Sequence, residues 1–102
     1  GELSGMELSI FARFHVRAGR EADAAAALRE VADASRTEAG CLFIEGYGSI
    51  RDPRLFHIHS RWVDEAAFEL HAGLPHTVRF LERMRTLADE PLEVSRARPL
   101  AE

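Results

Sequence analysis

Between Glu7 and Val16 the chain alternates, with Leu8, Ile10, Ala12, Phe14 and Val16 on one side and Ser9, Phe11, Arg13 and His15 on the other. A period of two is a strand, and this one has an apolar face that must be covered. The next segment changes period. Glu21 to about Thr37 is alanine-rich, and Ala24, Leu28, Val31 and Ser35 recur at helical spacing as a narrow stripe. A helix with so thin a stripe can lie close to a sheet. Gly40 is expected to end it as the glycine just past a helix C-terminus.

Cys41–Tyr47 and Leu55–Val63 read as two further strands, paired as a hairpin through Arg51-Asp52-Pro53-Arg54, where Pro53 fixes the turn. Asp64 is the expected N-cap of a second helix, with Glu65 in its first turn. That helix runs to about His71 and stops near Gly73. Pro75 restarts a helix at its first position, which ends before Pro91, and Leu92–Ala97 is a last short strand.

Strand, helix, strand, strand, helix pair, strand is the ferredoxin-like α+β order, an antiparallel sheet with helices on one face. The other face would carry Phe11, Arg13, Phe43, Tyr47, His57 and His59. It is too aromatic to leave in water, so a homodimer through this open sheet face is expected. The 102 residues suit one domain, placed at 7–98, with 1–6 a lead-in or tag remnant and 99–102 a tail.

Composition narrows the chemistry. A formal net charge of −4 argues against a nucleic-acid surface. All thirteen basic residues are Arg, and Lys, Asn and Gln are absent. Lysine Schiff-base chemistry, a P-loop and a side-chain amide for an oxyanion are therefore excluded. There is no glycine-rich phosphate loop or dinucleotide fingerprint, so no cofactor is expected. The single Cys41 cannot form an internal disulfide, and nothing near it in sequence lowers its pKa. A reducing, cytoplasmic setting is the default expectation, with no membrane partner, since no segment approaches the length of a membrane span.

Five histidines raise the question of a metal. His57 and His59 share one face of a strand, about 7 Å apart, but a site needs a third ligand, from His15 or Glu45. No metal is expected; an interface or pocket-edge role is the simpler reading. His71 lies three residues after Phe68, and His76 four before Phe80, so both should face inward. As core residues they would bond backbone carbonyls at the helix break. As functional residues they would reach a cavity between helices and sheet, where a neutral imidazole can move a proton near pH 7. Trp62, on the same strand face as Phe56, Ile58 and Ser60, is either a core anchor or a flat wall for an aromatic ligand with its indole N–H aimed into the pocket. Ser60 lacks the Gly-x-Ser-x-Gly turn of an activated nucleophile.

Glu38-Ala39-Gly40-Cys41-Leu42, then Asp52-Pro53 and Phe56, Trp62, Phe68, His71, and Pro75-His76 with Phe80 together resemble the antibiotic biosynthesis monooxygenase domain family, which includes small quinol monooxygenases. The resemblance spans roughly residues 7 to 98. It implies a dimeric α/β barrel with a pocket between sheet and helices in each subunit. It also implies oxidation of a small phenol or quinol by O2 without metal or flavin, because an electron-rich phenolate can itself pass an electron to O2. Carried over by position, Trp62, His71 and His76 are the catalytic candidates. Ser60, Ile58, Phe68 and Phe80 are expected to line the substrate pocket, with Tyr47 and Arg61 at the pocket rim or the dimer contact. Relatives commonly have Glu two residues before the tryptophan, where this chain has Ser60, so a carboxylate is missing there. Haem-degrading cousins use an Asn, absent here. An isomerase or small-molecule-binding module of the same fold is the alternative.

Overall fold

The computed structural model describes residues 6–100; residues 1–5 of the expected lead-in and 101–102 of the expected tail lie outside the described residues. The elements follow in the order β1 (Leu8–His15), α1 (Glu21–Ser35), β2 (Cys41–Gly48), β3 (Leu55–Trp62), α2 (Glu65–Ala72), α3 (Pro75–Leu87) and β4 (Glu93–Ala97). The four strands make one antiparallel sheet in the order β2-β3-β1-β4. This is the ferredoxin-like arrangement, with the first and third strands side by side at the centre. No helix among the described residues is long and apolar enough to cross a membrane.

Alternation decides the faces. Leu8, Ile10, Ala12 and Phe14 of β1 and Phe56, Ile58, Ser60 and Trp62 of β3 are all buried toward the helices. The thin stripe of α1 is buried at all four expected positions, Ala24, Leu28, Val31 and Ser35. Phe80 and Met84 of α3 complete the layer, with Phe80 edge-on to Phe14 at 5.5 Å between ring centres. The edge strand β4 is poorly covered. Val94 pairs with Ala12 on the helix side yet is 52 % exposed.

Local signals hold at most boundaries. Asp64 caps α2, its Oδ1 accepting from the Ala67 N–H at 2.9 Å, and Pro75 opens α3. Two expectations need correcting. Helix α1 ends at Ser35 rather than Thr37, and Arg36 follows it still in right-handed geometry. Gly40 is not a left-handed cap; the one glycine among the described residues with positive φ is Gly19. Gly40 is required for another reason. A Cβ there would sit 2.5 Å from Cβ of Ala67, so the α1–β2 turn can approach α2 only without a side chain at this position.

Candidate active site

That close approach carries Glu38, in the turn after α1, onto the break between α2 and α3. The turn is fixed by backbone bonds from Glu38 N–H to Ser35 O and from Cys41 N–H to Glu38 O, at 3.0 and 3.1 Å. His71 lies in the last turn of α2 and His76 in the first turn of α3. A single carboxylate oxygen, Glu38 Oε2, sits 2.9 Å from His71 Nδ1 and 2.6 Å from His76 Nε2. A carboxylate only accepts, so both ring nitrogens donate to it. Thr77 Oγ1 stands 3.3 Å from the same His71 nitrogen.

The cluster grades from inside to outside. Side-chain exposure is 9 % for His71, 12 % for Glu38 and 22 % for His76. Burial pushes the His71 imidazole below its ordinary pKa, and the Glu38 hydrogen bond opposes but does not cancel this. His71 is therefore neutral at pH 7, with Nδ1–H held by Glu38 and the lone pair on Nε2, which has no partner among the described residues. A carboxylate that fixes the tautomer of a neutral imidazole is the arrangement of a general base.

The imidazole faces a cavity. A space of about 100 Å³ lies between sheet and helices, walled by Ile58 and Ser60 of β3, Phe68 and His71 of α2, and Phe80 of α3, with Val94 at its exposed edge. The four residues expected to line the pocket thus meet around it. Tyr47, expected at the rim or the dimer contact, does not join them. It pairs with His57 on the opposite sheet face and is 45 % exposed. Arg61 is on that face too, bonded to Glu7 and lying over Phe43 at 5.8 Å.

Of the two readings of Trp62, core anchor or ligand wall, the geometry matches the core anchor. It is fully buried, and its indole N–H points to Ser60 Oγ at 2.9 Å, not into the cavity. Its ring backs onto His71 at 4.4 Å and meets Phe68 at 5.9 Å. It supports the His71 ring and lines no part of the cavity. Ser60 accepts this N–H, and its own hydroxyl hydrogen finds no acceptor among the described residues, so it is available to an oxygen in the cavity.

Glu38, quoted above only as part of a motif, is the residue that sequence reasoning missed. It puts on the histidines the carboxylate that appeared lost at Ser60. His57 and His59 gather no third ligand; the groups of three with metal-like spacing among the described residues are Glu38-His71-His76 and His15-Asp89-Glu90. In the first, one carboxylate oxygen at N–H···O distance from both rings satisfies both N–H groups without an ion. In the second, both His15 nitrogens are taken by Asp89 and Asp52, at 2.7 and 3.0 Å, and these bonds pin the two loops beside β1. Cys41 is partly buried, which raises its thiol pKa and fits an unreactive side chain.

The family model described as antibiotic biosynthesis monooxygenase matches residues 8–83. The chain belongs to this family. Among solved structures it is similar to PA3566 from Pseudomonas aeruginosa, at 28 % identity and a TM-score of 0.88 over 99 % of this chain and 100 % of that one. It is similar also to Rv0793 from Mycobacterium tuberculosis, at 25 % identity and a TM-score of 0.87 over 94 % and 97 % of the two chains. A protein from Bacteroides thetaiotaomicron that carries an antibiotic biosynthesis monooxygenase name matches at 25 % identity and a TM-score of 0.84, covering 96 % of this chain and 93 % of its own. No curated protein matches. Within the family match lie every member of the site, namely Glu38, Ser60, Trp62, His71 and His76.

Proposed function

We propose that this chain is a monooxygenase of the family's kind that oxidises a small phenol or quinol with O2, using no prosthetic group. The observation that carries this reading is His71 on the wall of an apolar cavity with its Nδ1 held by the Glu38 carboxylate, where burial pushes its pKa down and favours the neutral ring. An apolar space concentrates both an aromatic ring and O2, and the base makes the electron-rich phenolate. That anion can pass an electron to O2 directly. For a phenol with a free para position, one oxygen atom ends on the ring as the quinone carbonyl and the other leaves as water; for a quinol, one oxygen atom replaces a ring hydrogen to give the hydroxyquinone and the other leaves as water. Ser60 would donate to the phenolate oxygen while His71 Nε2 takes its proton.

The cavity of about 100 Å³ favours small substrates. A benzene ring needs an apolar cavity on the order of 150 Å³, so one ring enters only with some widening at the exposed Val94 edge, and a fused polycycle needs far more. Oxygen uptake with monocyclic hydroquinones and phenols, compared with menadiol, tests the proposal. We expect catalysed uptake, fastest for one-ring substrates and unchanged by a chelator. Uptake no faster than autoxidation across the series would leave the same base serving a proton-transfer isomerase or a binding module.

The open sheet face supports a homodimer. Phe11 stacks on His59 at 4.6 Å with rings nearly parallel, and Phe43 meets His59 from the other side at 5.4 Å. Phe11 and Tyr47 are about half exposed, while His59 Nε2 is shielded and has no partner among the described residues. A second copy would bury the rings and offer that nitrogen a hydrogen-bond partner. Light scattering should give about twice the 11.4 kDa chain mass, and Phe11→Glu should halve it. A parent that stays monomeric at micromolar concentration would refute the interface.

A further inference from the structure

The cavity beside His71 must widen before a ring can enter it, and its walls are not equally free to move. Ile10 and Ala12 on β1 and Ile58 and Ser60 on β3 are buried and held by the ladder between the two strands. Phe80 of α3 is buried and set edge-on against Phe14. Helix α2 is different. Of its eight residues only His71 is buried, and Phe68, which lines the cavity, is half-buried. One side chain fastens this wall to the sheet. Arg96 stands two residues after Val94 on β4, opposite Ile10 and so on the helix side, and it reaches across to α2. Its Nη1 donates to Glu65 Oε2 at 2.7 Å and to Glu69 Oε2, one helical turn further on. Its Cζ lies 5.1 Å from the centre of the Phe68 ring.

We propose that Arg96 is the latch of the cavity: clamped by Glu65 and Glu69, it holds the Phe68 ring over the space beside His71 and so decides how readily a substrate enters. Its use in turnover rests on the oxidative reading above; the latch itself does not. Opening needs Arg96 to leave the two carboxylates and Phe68 to turn outward. His71 keeps its place, because Glu38 and Trp62 hold it independently of Arg96. The fastening is of a strength that suits a gate. All three charged side chains are exposed, and such pairs shift an equilibrium by about 1.4- to 5-fold each, so the latch can open at every turnover. A ring binds only the open state, and its apparent affinity is reduced by the open fraction. Arg96 does not line the cavity; it acts through Phe68 and is a positioning residue.

Arg96→Met tests this, since methionine keeps an apolar stem over Phe68 and removes the charge and its donors. Trp62 is the only tryptophan, is fully buried and meets Phe68, so its fluorescence reports the opening. With acrylamide, a neutral quencher, we expect quenching about 3–10-fold faster in Arg96→Met than in the parent. Raising salt from about 0.05 to 1 M screens the ion pairs, so it should speed quenching in the parent and leave the variant unchanged. Oxygen uptake should show KM lowered by a similar factor at unchanged kcat, because the open fraction rises while the reacting groups stay in place. An Arg96 that only kept α2 in shape would, when lost, disturb His71 and lower kcat; one that touched substrate would raise KM. Equal quenching in parent and variant, the same salt response in both, a lowered kcat or a raised KM would overturn the latch. If the parent oxidises no phenol but its quenching still depends on salt and on Arg96, the oxidative reading fails and the latch stands. Should Arg96→Met not fold, Glu65→Gln combined with Glu69→Gln removes the same pairs from the helix side. Faster, salt-independent quenching there supports the latch, and quenching like the parent's refutes it.

Discussion

His71→Gln is expected to lower kcat/KM for phenol oxidation by about 10²–10⁴, the usual contribution of a positioned general base. Glutamine keeps an N–H for Glu38 and roughly the volume of the ring, so the cavity wall survives while the lone pair that takes the substrate proton is lost. The pH profile gives a second, independent reading. Burial lowers the His71 pKa from 6.5, and the base works only when neutral. Activity should therefore be present at pH 7 and disappear as pH falls through a value below 6.5. The same shift has a consequence for stability. In that acid range the unfolded chain binds a proton that the folded chain resists, so this group's contribution is lost as pH drops. An acid limb centred at or above pH 7, or a His71→Gln variant within a few-fold of the parent, would remove His71 from the role of base.

The pieces of this site differ in how far the sequence reveals them. His71 and His76 declare themselves through helical spacing from Phe68 and Phe80, because a period of 3.6 fixes which side chains share a face. Ile58 and Ser60 follow from strand alternation in the same way. Glu38 has no period to betray it. It sits in a turn, and its direction depends on how closely that turn approaches α2. The approach is set by the missing Cβ of Gly40 against Ala67, two residues 27 positions apart whose meeting only the folded chain specifies. Its place after a helix marks Gly40 as a turn glycine, but the contact that requires it lies with Ala67 and not in its own backbone angles. Trp62 shows the limit from another side. Alternation places it inward, and nothing in the spacing tells whether its N–H meets the cavity or Ser60. Tyr47 alternates onto the open face beside His57, so of the two places open to it, pocket rim and dimer contact, strand alternation favours the second.

The largest effect on stability is expected at Trp62, with Trp62→Ala costing about 3–5 kcal/mol. The side chain is fully buried, and it joins Leu8 and Ile10 of β1 to Ala67 and Phe68 of α2. Removing it opens a void beneath α2 that strand residues cannot collapse into, since β1 and β3 are held by their ladder. Against a typical total of about 5–15 kcal/mol, this would bring a small domain near its unfolding limit. A urea titration should show a large fall in midpoint at unchanged slope. Trp62→Phe keeps much of the volume but leaves Ser60 Oγ buried without its donor, and should cost about 1–3 kcal/mol. If that hydrogen bond is responsible, adding Ser60→Ala to Trp62→Phe should cost little more, because both polar partners are then gone. A double variant as destabilised as the sum of the two single ones would show instead that packing alone accounts for the loss. The position of His71 should respond in step, since the indole is what its ring rests on. Trp62→Phe should then lower kcat modestly with KM nearly unchanged, whereas a tryptophan that stacked on substrate would raise KM.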